Sequence, residues 1–224
     1  MVAKRNLPVK IFRKREGIDD RAVEGGGSDR SPGWLLDSDN LRKRANKFIN
    51  ALKDTESIIR SRKEGRKFIP AVLNVEVDEE AIAKTHRKKI ADLFKVTNHD
   101  SNIIGFTDTN EILIKINNLR ELKEIENKLS RYEDYDRAIS ATNYLSNFEP
   151  FIEVSPENND ILKVKLVNYQ DYELNKAVKN LFESVCEINE AISCKEVKYS
   201  DDLIVYKMQL KNRVIPDEIK EFEA

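Results

Sequence analysis

The chain is poor in the residues that carry most covalent and metal chemistry. Two cysteines, two histidines, one tryptophan and two methionines are spread over 224 residues. No apolar run approaches the ~20 residues that a membrane helix needs, so no association with a bilayer is expected. The amino terminus MVAKRNLPVKIF lacks the apolar core of a secretion signal, and cytoplasmic residence is expected. Two cysteines do not make a disulfide framework. Cys186 continues a helical pattern and Cys194 falls on a strand, so both are expected to be thiols acting as small hydrophobes in a reducing compartment.

The scarcity of histidine bears on catalysis, because an activated nucleophile needs a base within reach. His99 lies in the polar loop Asn98-His99-Asp100, and His86 occupies a helix position beside the apolar core. Neither belongs to a catalytic motif. Two separated histidines and two cysteines without a CxxC pair give no metal constellation. The acidic pairs Glu79/Glu80, Glu133/Asp134 and Asp201/Asp202 fall at turns and helix ends, where carboxylates are ordinary. Gly25, Gly26 and Gly27 do not form a phosphate loop, because Gly27-Ser28-Asp29 sets an acid where Lys-Ser/Thr is required. No enzyme activity, metal or cofactor is expected of these residues.

What is present is charge, and it is segregated. Charged residues make up 35% of the chain and hydrophobic residues 40%. Residues 1–70 carry a net charge of +8, and the remainder −9. Opposed halves of this kind attract each other or face different partners.

Three regions are expected. Residues 1–67 form an arm with a short strand at 7–12, the Gly-rich break and a helix capped by Asp37 or Ser38. That helix puts Leu41, Ala45, Phe48, Ile49, Leu52 and Ile59 on one face and Arg42, Lys43, Lys47 and Lys53 on the other. Residues 68–156 then give a strand (68–77), a helix (80–95), strands near 103–107 and 111–116, a helix with Leu119, Leu122, Ile125, Leu129 and Tyr132, and a last edge strand, Phe151–Val154. Residues 157–224 repeat the scheme with a strand, a helix at 171–188, and strands at 192–199 and 203–210.

The repeat is written in the residues. Ile90, Leu93 and Phe94 reappear as Val178, Leu181 and Phe182, each 88 positions later. VLNVEV precedes the first helix and VKLVN the second, and His86 aligns with Leu174. The order βαββαβ is that of the ferredoxin-like fold, so an α+β chain of tandem ferredoxin-like modules is expected, the second without its last strand. Such modules usually bind or scaffold. Nucleic acid is an unlikely partner, because VLNVEV and EILIKI offer no aromatic for base stacking and the modules are acidic.

The amino-terminal series LPVKIF, Glu24-Gly25-Gly26-Gly27-Ser28 and Pro32-Gly33-Trp34-Leu35 resembles a known family. It is similar to the region preceding the catalytic domain in bacterial subtilisin-like serine peptidases encoded beside an AAA-type ATPase, pairs implicated in defence against phage. Prodomains of subtilisin-like peptidases are ferredoxin-like, act as folding template and inhibitor, and place an added strand in the substrate cleft. The Asp-Ser/Thr-Gly, His-Gly-Thr and Gly-Thr-Ser motifs of the catalytic domain are absent from this sequence. The resemblance therefore implies a non-catalytic regulatory module whose partners are a subtilisin-like catalytic domain and the ATPase. Gly25, Gly26, Gly27, Trp34, Phe151 and Ile152 are the expected contact residues. The competing expectation is a free-standing adaptor of tandem modules.

Overall fold

One face of the first helix explains why the first core forms where it does. Helix α1 (Ser38–Ser61) starts at Asp37, whose carboxylate accepts from the Asn40 amide at 2.9 Å. That bond, with a second from the Asn40 side chain, holds the Asp37 carboxyl below its usual range. Leu41, Ala45, Phe48 and Leu52 are buried in a single stripe at three- and four-residue steps. Thr55 completes it and donates to Asn147 Oδ1 at 2.5 Å. Ile49 and Ile59 flank the stripe, half-buried.

In this computed structural model the described residues are 33–82, 84–96, 102–106, 110–148, 161–189, 192–200, 203–210, 219 and 222. By its internal contacts the chain divides into 1–33 and 34–224, and the described elements belong to the second unit. The unit is α+β, with two antiparallel sheets and five α-helices among the described residues.

The first sheet contains β1 (Ala71–Val77), β2 (Ile103–Phe106), β3 (Glu111–Ile116) and β4 (Thr142–Asn147), in the order β2-β3-β1-β4. Helix α2 (Lys84–Phe94) connects β1 to β2, and α3 (Leu119–Ser130) with the short α4 (Asp136–Ala141) connects β3 to β4. β1 alternates cleanly: Ala71, Leu73, Val75 and Val77 join the buried cluster formed with α1, Leu93, Phe94, Leu122, Ile125 and Leu129. The intervening Val72 faces the other way. Helix α3 begins at Asn118, whose side chain accepts from the Arg120 and Glu121 amides, while Glu121 reaches back to the Asn117 amide at 2.7 Å. The reciprocal pair satisfies donors that a helix start leaves open. Lys128 Nζ donates to the carbonyls of Asp92 and Lys95, closing the end of α2.

The strand beside β1 is Thr142–Asn147, which was not expected, and the expected strand Phe151–Val154 lies outside the described residues. The helix of 119–132 stops at Ser130, a turn follows, and α4 buries Ala138, Ile139 and Ala141 before the chain enters β4. The stretch TNYLSN lacks a continuous β-branched run, and its backbone pairing with Leu73–Val77 decides the matter instead. Phe151 and Ile152 themselves lie outside the described residues, as does the expected strand at 7–12.

The second sheet contains β5 (Ile161–Val164), β6 (Ile192–Ser200) and β7 (Leu203–Leu210), in the order β5-β7-β6. Helix α5 (Tyr172–Ile188), capped by Asp171, crosses from β5 to β6. This is the order of the first three strands of the other sheet, β1-β3-β2. Phe182 is fully buried against Tyr206, ring centroids 4.8 Å apart, and edge-on to Phe222 at 5.4 Å. One apolar cluster joins these residues to Ile69, Val72 and Ile104 of the first sheet.

Because Phe48 is inside the first core, Phe48→Ala is expected to destabilise the chain by about 3–5 kcal/mol. Equilibrium urea unfolding measures this; a loss below ~1 kcal/mol would mean that α1 is an appendage.

Candidate functional site

The segment between β5 and α5 fixes a groove at the margin of the first sheet. Tyr169 is buried, and its amide donates to Asn175 Oδ1 at 2.9 Å. Asn175 in turn donates to Asn168 Oδ1 at 2.8 Å, which also accepts from the Gln170 amide. This local net holds Gln170 at φ 57, in the left-handed region that non-glycine residues enter at a cost of about 1 kcal/mol or more. Two side chains then tie the loop to the first sheet: Lys115 Nζ donates to the Tyr169 carbonyl at 3.0 Å, and Gln170 Nε2 to the Ile104 carbonyl at 3.3 Å.

The resulting groove, of about 500 Å³, is lined by Ile103, Ile104, Gly105, Phe106, Lys115, Gln170 and Asp171. β2 ends the strand order here, so its outer backbone faces no strand among the described residues. Phe106 is 69% exposed beside the groove, and Tyr172, next to Asp171, is 75% exposed. Gly105 has open space where a Cβ would project. The groove thus combines a strand edge, apolar flanks and one cation, a composition suited to an extended peptide segment.

A second pocket, of about 360 Å³, lies between α5 and the second sheet, lined by Glu183, Cys186, Glu187, Cys194, Glu196 and Tyr206. Tyr206 Oη donates to Glu183 Oε1 at 2.9 Å, and Lys179 bridges Glu183 and Glu196 at 3.7 and 3.1 Å. Cys186 and Cys194 both line this pocket, one from the helix and one from the sheet. Burial first, then Cys194 and nearby glutamates, push the Cys186 thiol from 9.0 to about 12. Burial likewise raises Cys194 and the Tyr206 phenol, the latter helped by its bond to Glu183. These are protonated, poorly nucleophilic thiols at neutral pH. Their proximity went unread in the sequence; eight positions spanning a helix end and a strand start was the available signal.

Of the expected contact residues, Trp34 is half-buried and packs against the first core, where the neighbouring Leu36 amide donates to Ser140 Oγ at 3.1 Å. Gly25, Gly26, Gly27, Phe151 and Ile152 lie outside the described residues, as do His99 and the side chain of His86. Trp34, the one described residue of that set, does not line the groove. Among the described residues no cluster of three or more His, Cys, Asp or Glu side chains is arranged to hold a metal, and no helix is long and apolar enough to cross a membrane. No protein-family profile, curated protein or solved structure matches the chain.

A raised thiol favours the protonated form in the folded state. Its stabilising contribution is complete below the ordinary thiol value and is lost as pH climbs through about 12. At neutral pH the thiolate population of Cys186 is about a thousandfold below that of an ordinary cysteine. Alkylation by iodoacetamide, followed by peptide mass spectrometry, is expected to be correspondingly slow and to accelerate only in alkali or denaturant. Labelling at the rate of a free thiol would contradict this environment.

Proposed function

We propose that the chain is a non-catalytic, prodomain-like regulatory module that docks onto a subtilisin-like serine peptidase domain as folding template, inhibitor or link to an AAA ATPase. The setting is cytoplasmic, within a defence system against phage. The family-like series ending in Pro32-Gly33-Trp34-Leu35 supplies the partner. The observation that carries docking is the groove beside β2, with Phe106 69% and Tyr172 75% exposed at its margin.

The architecture supports the same proposal. A strand order of β2-β3-β1-β4 with both crossovers packed on one face is the arrangement of a ferredoxin-like module, and β5-β7-β6 repeats three quarters of it. The chain is then an arm at 1–67 and two modules, 68–156 and 157–224, with α1 lent by the arm to the first core. Apolar side chains at a strand edge serve protein recognition, and Phe106 and Tyr172 supply them here.

The full chain mixed with the catalytic domain encoded with it is expected to co-elute and to lower its rate on a chromogenic peptide. The double variant Phe106→Ala/Tyr172→Ala is expected to weaken inhibition by about tenfold or more, equivalent to ~1.4 kcal/mol, with little change in thermal midpoint. An unchanged peptidase rate together with separate elution would end the proposal and leave the free-standing adaptor.

A further inference from the structure

The second sheet carries its lysines in a line. The pairing of β5 with β7 sets Lys163 opposite Lys207, and the pairing of β6 with β7 sets Lys195 opposite the same Lys207. Residues paired across antiparallel strands project from one face, so three ammonium groups cross the sheet in a single row, about 4.8 Å from strand to strand. Tyr206 and Met208, on either side of Lys207, are buried in the opposite face. All three lysines are exposed.

Like charges set directly opposite each other destabilise a sheet. The structure offers no internal relief: none of the three has a carboxylate within ion-pairing distance among the described residues. Other lysines of the chain do, as in Lys179 with Glu196, Lys123 with Glu126 and Lys67 with Glu64. The row also stands in the acidic part of the chain, where residues 71–224 sum to −9.

We propose that this face docks an acidic helix of a partner protein, laid across the strands with carboxylates over Lys163, Lys207 and Lys195. The Cβ atoms of residues i and i+4 of a helix are about 5–6 Å apart, close to the strand spacing, so glutamates at these positions can reach successive lysines of the row. One ladder step away Val197 pairs with Val205, both half-exposed, and gives such a helix an apolar strip beside its charges. A single nucleic-acid strand fits less well. The described outer face, comprising Lys163, Lys195, Val197, Val205, Lys207 and Gln209, has no aromatic ring on which a base can stack. The surface is distinct from the groove beside β2 and does not rest on the peptidase proposal.

The test uses the full chain and a fluorescein-labelled helical peptide with glutamates at i, i+4 and i+8 in an alanine background. A glutamine version of the peptide and a labelled DNA duplex are the comparison probes, all followed by anisotropy at low and physiological salt. The glutamate peptide is expected to bind, to weaken with salt and to lose about tenfold or more in affinity to K163Q/K195Q/K207Q. The single variant Lys207→Gln, removing the centre of the row, is expected to lose part of that affinity while its thermal midpoint holds or rises, since repulsion is relieved. The proposal is overturned if the glutamine peptide binds equally, if the variants bind as the parent does, or if the duplex binds more tightly through the same lysines.

Discussion

Everything in the described structure hangs on β1 and β3 being required on both sides. Leu73, Val75 and Val77 close the core under α1 and α3, while Val72 turns into the second cluster, with Ile104 of β2 beside it. β3 follows suit: Ile114 and Ile116 face the helices, Leu113 and Lys115 the second cluster. A strand buried on one face only would alternate apolar with polar. Here the alternation is between two different interiors, and Lys115 spends its charge on the Tyr169 carbonyl rather than on solvent alone. Tyr169 is the matching piece, buried so fully that its phenol is raised to about 12 despite the Arg62 cation. The second sheet is therefore fastened to the first by a backbone carbonyl and an apolar cluster, not by a surface ion pair that salt would loosen.

Much of this was legible. The stripe of α1, its Asp37 cap, the span of β3 from Glu111 to Ile116 and the span of α5 all follow from periodicity and capping. The repeat offset carried more than was drawn from it. Adding 88 to β1 gives 159–165, which encloses β5 at Ile161–Val164, whereas the apolar VKLVN drew the expectation later, to 164–168. Leu166 and Val167 are apolar because they pack against the second cluster as a loop, not because they form a strand. The same confusion displaced β4. Phe151–Val154 has the better strand composition, but the turn after Ser130 and the burial of α4 bring Thr142–Asn147 to β1 first, and edge strands need little propensity when a central strand supplies the ladder.

The chemistry was less legible than the fold, for a different reason. Cys186 and Cys194 are expected to be small hydrophobes, and their raised thiols agree with that; their proximity depends on how α5 returns to β6, which no composition records. The lysine row is hidden in the same way. Lys163, Lys195 and Lys207 are separated by 32 and 12 positions, and only the register of three strands puts them in line. Local signals report helices and caps; non-local pairing reports surfaces.

The two-sided burial of the first sheet also dictates where a partner can sit. Its helical face is filled, and its other face is occupied at the end holding Val72 and Leu113. Only the end holding Glu76 and Tyr144 stays partly open, and there Lys47 already lies 5.4 Å over the Tyr144 ring. Under the docking proposed above, the first sheet does not present a broad open face, as a single module could. It presents an edge, β2, which suits an extended chain. The second sheet is the complement, with α5 against its inner face and a charged outer face, which suits a folded surface. A chain that offers an edge from one sheet and a face from the other would engage two different shapes at once, which neither sheet does alone.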